Sequence, residues 1–203
     1  MKNLLSVAIA ALSISLLSST AMAGSVPASP PVRNFLSEMP TQDVKFLPKW
    51  ARVVESGELE TGIDLFLPTP KFSDLENVQK AANKFKYKSD QENYGIKDYW
   101  ASPRETQINY GGDCEDIAIW KYGMLKRAAW KKQDLTMWIV KVKETGMQHA
   151  ILIAKIDNKP WLLNSPAFDG DASSVMPIEA TSEYMNATFE FMYRFNEIGW
   201  STK

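Results

Sequence analysis

Gly111-Gly112-Asp113-Cys114-Glu115-Asp116 decides how the chain is read, because apolar residues at helical spacing begin directly behind it. Ile117, Trp120 or Lys121, Met124, Leu125 and Ala128 recur at threes and fours, the spacing of one helix face. Asp113 stands where an N-cap belongs, Glu115 and Asp116 fill the first turn, and Lys126, Arg127, Lys131 and Lys132 crowd the end. Acids first and bases last suit the helix dipole. Cys114, the only cysteine of 203 residues, is thereby predicted in the first turn. Free N–H groups and partial positive charge there favour a thiolate, and the same N–H groups can hold an oxyanion.

Downstream the period falls to two. Leu135–Val142 and Gln148–Ile156 read as strands joined by a turn at Glu144-Thr145-Gly146, and Trp161–Asn164 as a third strand after a turn through Asp157-Asn158. Pro177–Asn186 reads as a short helix and Thr188–Phe195 as a further strand. His149 is the only histidine. With a two-residue turn at Asp157-Asn158, Asn164 falls opposite Ile151 and diagonal to His149 on one face, roughly 7–8 Å away. Asn164 is then placed to orient the imidazole, giving a candidate Cys114–His149–Asn164 set for nucleophilic catalysis.

Upstream, Thr41–Glu55 reads as a helix with Val44, Leu47, Trp50 and Val53 or Val54 on one stripe. A second helix is expected to open at Ser73 as N-cap with Glu76 reaching back, its apolar face being Leu75, Val78, Ala82 and Phe85. Lys86 to Tyr110 is irregular and aromatic. Its segment Asp98–Glu105 suits a cleft wall and a pinned surface loop equally. Helices followed by an antiparallel sheet make an α+β layout in one domain.

The N-terminus carries Lys2, an apolar run from Leu4 to Leu17 and the small-residue end Ala21-Met22-Ala23. Residues 1–23 are expected to be a secretory signal peptide, 24–33 a Pro/Ser-rich leader and 34–203 the domain. No later segment is long and apolar enough to span a bilayer. Removal of Lys2 leaves 22 basic against 24 acidic residues, so net charge moves from −1 to −2. No basic stripe emerges, which argues against nucleic acid as partner. A lone cysteine in an exported protein is an inert thiol, an intermolecular link or a reactive group.

Asp113, Glu115 and Asp116 oppose the catalytic reading, since carboxylates beside a thiol raise its pKa. They are either capping charges on a solvated helix start or ligands of a cation. As hard oxygen donors they suit calcium more than zinc, although their spacing is not that of a helix-loop-helix calcium loop.

The set Gly112-Asp113-Cys114-Glu115-Asp116 with Lys121, then His149-Ala150-Ile151-Leu152, then Asn164, resembles the bacterial transglutaminase-like cysteine proteases. Among them it is most similar to the LapG-type periplasmic proteases, and Asp98–Pro103 with Glu105 resembles the segment before their nucleophile. The resemblance covers roughly Tyr94 to Ser165. It implies a papain/transglutaminase-like fold with the nucleophile at a helix N-terminus packed on an antiparallel sheet. It further implies peptide-bond hydrolysis with Cys114 as nucleophile, His149 as base and then acid, and residue 164 as orienting group. Calcium held by Asp113, Glu115 and Asp116 is implied too. So are a large repeat-containing surface adhesin as substrate, cleaved near its N-terminus to control biofilm attachment, and an inner-membrane cyclic di-GMP receptor as inhibitor. The family's usual third residue is aspartate, where this chain has Asn164. The alternatives are transglutaminase- or amidase-type acyl transfer on another substrate and a non-catalytic calcium-dependent binding module.

Overall fold

The structure, a computed structural model, describes residues 33–34, 47–59, 69–165 and 175–202. In chain order it holds β1 (Arg33–Asn34), α1 (Leu47–Glu55), α2 (Phe72–Ala82), β2 (Lys86–Tyr87), α3 (Asp90–Tyr94), α4 (Pro103–Asn109), β3 (Gly111–Gly112) and α5 (Cys114–Arg127). A short 3-10 turn at Lys132–Asp134 leads into β4 (Leu135–Val142) and β5 (Gln148–Ile156). Then follow β6 (Lys159–Leu163), β7 (Ile178–Glu179), α6 (Ser182–Thr188), β8 (Phe189–Phe195) and β9 (Gly199–Thr202). Apart from β1 and α6, the helices precede the strands of the main sheet, in keeping with the α+β reading.

The sheet is ordered β1-β9-β8-β4-β5-β6-β7, and each neighbouring pair is antiparallel. Asp157 and Asn158 join β5 to β6 with positive φ of 50° and 62°. Such a mirror-image two-residue turn matches the twist of its flanking strands. The turn sets Leu152 opposite Leu163 and Ile153 opposite Leu162, the expected register.

Alternation along the strands makes two apolar faces. Leu135, Met137, Leu152, Ala154, Leu163 and Phe195 meet Trp50 and Val53 of α1, Leu75 of α2, and Ile119, Tyr122 and Leu125 of α5. Trp50 is fully buried there, edge-on to Tyr122 at 5.4 Å and to Phe195 at 5.3 Å. The opposite face carries Val140, Val142, Ile151, Ile153 and Leu162 and is covered by Met185 of α6 with Phe189. A bulge makes β8 serve both. Ile139 pairs with Tyr193 but Val140 pairs with Phe191, so Met192 is the extra residue. Tyr193 and Phe195 therefore pack on the first face, while Phe189 packs on the second.

Several local expectations are corrected. The second helix opens at Phe72 after Lys71, not after Ser73, because the Asp74 carboxylate accepts the Lys71 N–H at 2.8 Å. The stretch read as irregular contains α3 and α4. Each is started by a reciprocal Ser–Glu capping box, Ser89 with Glu92 and Ser102 with Glu105. Helices of one to two turns are too short to show a 3.6 period, so their caps were the legible signal. The helix expected over Pro177–Asn186 begins at Ser182 after a short strand, and β9 was not foreseen. α1 is seen from Leu47; residues 41–46 lie outside the described residues, as do 1–23 and 24–32. Arg33, the last residue of the expected leader, pairs with Trp200. The chain divides between Pro31 and Val32, and the described residues all belong to the second part. Among them no helix is long and apolar enough to cross a membrane.

Candidate active site

Two glycines bring Cys114 into position. Gly111 has φ +154°, and a Cβ there would sit 2.0 Å from the Lys86 carbonyl oxygen, across the parallel pair of β2 and β3. A Cβ on Gly112 would meet Asp116 Oδ2 at 2.4 Å. Only glycine lets the chain run this close to β2 and over the first turn of α5. Asp113 is the N-cap residue but makes no side-chain capping bond, which leaves its carboxylate to other neighbours. Cys114 follows as the first residue of α5 and is half-buried.

The second component lies on the β5–β6 hairpin. His149 and Asn164 are both buried, and His149 Nε2 is 2.7 Å from Asn164 Oδ1. The Ser165 N–H donates to that same Oδ1 at 2.8 Å. An atom that accepts a backbone N–H is the amide oxygen, so His149 Nε2 carries the proton it shares with Asn164. The ring's basic lone pair is thereby left on Nδ1.

Cys114 and His149 line one cavity of about 470 Å³, together with Asp113, Glu115, Tyr87 and Trp100. The Ala150 N–H donates to the Cys114 sulfur, which favours thiolate. The thiol donates to Glu115 Oε2 at 3.0 Å. Burial, and after it the Glu115 charge, push the thiol well above its ordinary range. With the carboxylates alone beside it, Cys114 stays a thiol.

The acids that converge are Asp90, Asp113 and Glu115, each offering an oxygen within 4.8 Å of the others. This differs from the expected threesome. Asp116 is fully buried, and its Oδ1 accepts the Ala101 N–H at 2.7 Å. Asp90 enters the cluster from α3, one Oδ held by the Tyr99 N–H. Burial, then the Glu115 charge, raise Asp90 to about 6. Burial and Glu115 likewise push Asp113 far upward. One oxygen of each of Asp90, Asp113 and Asp116 is buried without a hydrogen-bond partner among the described residues. Crowded carboxylate oxygens with unsatisfied lone pairs fit a hard divalent cation, and no nitrogen or sulfur donor in the group favours zinc.

The family model described as bacterial transglutaminase-like cysteine proteinase matches residues 38–185. The chain belongs to this family. Among solved structures, LapG of Legionella pneumophila is similar at 25% identity with a TM-score of 0.53, covering 78% of this chain. Its EGTA-treated form is covered over 76% of its length and its calcium-bound form over 78%. No curated protein matches the chain.

Placed in this proteinase fold, the aromatic segment is a cleft wall: Asp98 and Trp100 line the cavity. Arg52 of α1 pins it, donating to the Trp100 carbonyl and to Glu105 Oε2 at 3.2 Å, with its guanidinium 4.3 Å from the Tyr99 ring centre. Sequence reading passed over Asp90, Lys49, Gln148 and Met192, all now at the cavity or its acidic cluster. For Asp90 the signal was an acid one residue after the Ser89 cap. Nothing local marked Met192, which reaches the cavity through the bulge.

Proposed function

We propose that this chain is an exported, calcium-dependent cysteine endopeptidase in which Cys114, His149 and Asn164 carry the reaction. The observation that carries the proposal is the His149–Asn164 hydrogen bond facing the same cavity as a thiol at a helix N-terminus. His149 Nδ1 takes the thiol proton, and Cys114 Sγ attacks the peptide carbonyl carbon. N–H groups at the start of α5 would receive the developing oxyanion. The C–N bond then breaks, His149 returns its proton to the leaving amine, and a thioester remains. Water, deprotonated by His149, hydrolyses that thioester and frees Cys114. Asn164 holds the imidazole's Nε2–H throughout; it orients the ring without adding negative charge.

Asp90, Asp113 and Glu115 would hold the calcium ion, with Asp116 supporting from α5. Bound there, the ion supplies positive charge that offsets the carboxylates' repulsion of a thiolate. The similarity to LapG, solved both calcium-bound and EGTA-treated, supports the choice of metal. From the resemblance of its sequence motifs we further propose a periplasmic location, a large repeat-containing adhesin cut near its N-terminus as substrate, and restraint by an inner-membrane cyclic di-GMP receptor.

The test is cleavage of an N-terminal adhesin fragment by purified protein. Wild type in calcium should cut it; Cys114→Ala and His149→Ala, folded by circular dichroism, should leave it intact. Processing by the Cys114→Ala protein would end the reading. Amine incorporation into glutamine without cleavage would instead assign acyl transfer. Calcium-dependent capture of the fragment with neither reaction would assign a binding module.

A further inference from the structure

Asn164 is held twice over, and the second hold comes from beneath. Its side-chain oxygen serves His149 and the Ser165 N–H. Its main-chain oxygen, just past the end of β6, accepts from two other elements. Lys121 of α5 donates to it through Nζ, and reaches the Leu163 carbonyl at 3.4 Å. Gln79 of α2 donates to it through Nε2 at 3.0 Å and spends its other N–H on Asn83 Oδ1 at 2.8 Å. A carbonyl oxygen has two lone pairs, and both are taken.

Neither donor belongs in a core on hydrophobic grounds. Lys121 and Gln79 are both fully buried. A lysine that spends its ammonium on carbonyls instead of a carboxylate forfeits hydration without gaining a charge partner. Apolar side chains of similar volume would fill these positions at less cost. What the pair accomplishes is geometric: two helices grip one backbone atom just beyond Leu163, the last β6 residue paired with β5. Lys121 also lies close enough for its charge to disfavour a proton on His149.

We propose that Lys121 and Gln79 are positioning residues, clamping the Asn164 backbone so that its amide oxygen fixes the His149 ring as the Nε2–H tautomer. The proposal rests on the reading in which His149 is the base. Asparagine makes the clamp necessary. An aspartate at 164 would hold an imidazolium by charge over a range of orientations, whereas a neutral amide must be aimed.

His149 is the only histidine, so its imidazole nitrogens give unambiguous long-range ¹H–¹⁵N correlations in the full chain. The variants are Lys121→Met and Gln79→Met, each removing donors at similar volume. Wild type should show one tautomer, protonated at Nε2. Each variant should show a tautomer mixture and a kcat about 10- to 100-fold lower, the scale of a roughly 1 Å misplacement, with KM within about twofold, since neither residue lines the cleft. Folded variants that keep the single tautomer and wild-type kcat would overturn the clamp; a shift in thermal midpoint alone would mark the residues as structural. If Lys121→Met does not fold, Gln79→Met decides. If wild type cleaves nothing, the enzymatic reading fails while the tautomer spectra still decide the clamp.

Discussion

His149 is a titratable base placed where it resists charge. Burial holds it at about 4, and the Lys121 charge adds to that, against the Asn164 hydrogen bond, which supports the charged ring. Unfolded, the same histidine protonates near its ordinary 6.5. Between those values the unfolded chain binds a proton that the folded chain refuses, so this group's contribution to stability is lost as pH falls. Expressed as wild type minus His149→Gln in urea unfolding, the difference should shrink by about 1.4 kcal/mol per pH unit below pH 6.5 and level off near 4. A pH-independent difference would mean that the ring is solvated. A ring neutral at physiological pH is in the protonation state of an acceptor, but held at about 4 it is a weak base, so proton transfer from Cys114 requires the thiolate's own charge to raise it.

At the scale of elements, the glycine pair carries the sharpest expectation. Gly111→Ala puts a Cβ into the Lys86 carbonyl at a φ of +154° and should cost about 3 kcal/mol in chemical denaturation. Activity should fall with it, because β3 runs directly into Asp113 and Cys114. An alanine variant of unchanged stability would show that β2 and β3 are not paired in solution. The elements also show what could be read in advance. β4, β5 and the Asp157-Asn158 turn were legible because strand alternation and a turn dipeptide are local signals, and from them the facing of His149 and Asn164 followed by register alone. α5 was legible through its apolar spacing. α3 and α4 were hidden by their length, although Ser89-x-x-Glu92 and Ser102-x-x-Glu105 marked their starts. Asp90 was missed with α3. It joins Asp113 and Glu115 only through tertiary packing, and spacing along one helix could not find it. Met192 was missed because a bulge changes which face a residue takes, and no residue type announces one here.

Over the whole molecule, the acidic cluster ties α3 to the start of α5. A cation bound only by the folded chain stabilises it by mass action, about 2.7 kcal/mol when free ion is 100 times Kd. For a domain of this size that is about 5–10 °C in thermal midpoint. Melting should therefore rise by that order in calcium over EGTA, and Asp90→Asn should abolish most of the gain. Equal midpoints in calcium and chelator for wild type would remove the ion from the cluster.

The two halves of the site have different histories during folding. His149 and Asn164 are 15 residues apart on one hairpin, and hairpins close in about 1–10 µs. Cys114 joins them only when α5 packs against β5, across a longer span of chain that includes all of β4. Contacts of greater sequence separation cost more loop entropy and are made later. An emerging chain thus holds His149 and Asn164 together before Cys114 joins them. By the same rule the cleft closes later still, because its walls at Lys49 and Trp100 meet His149 and Tyr193 across longer spans of chain than Cys114 does.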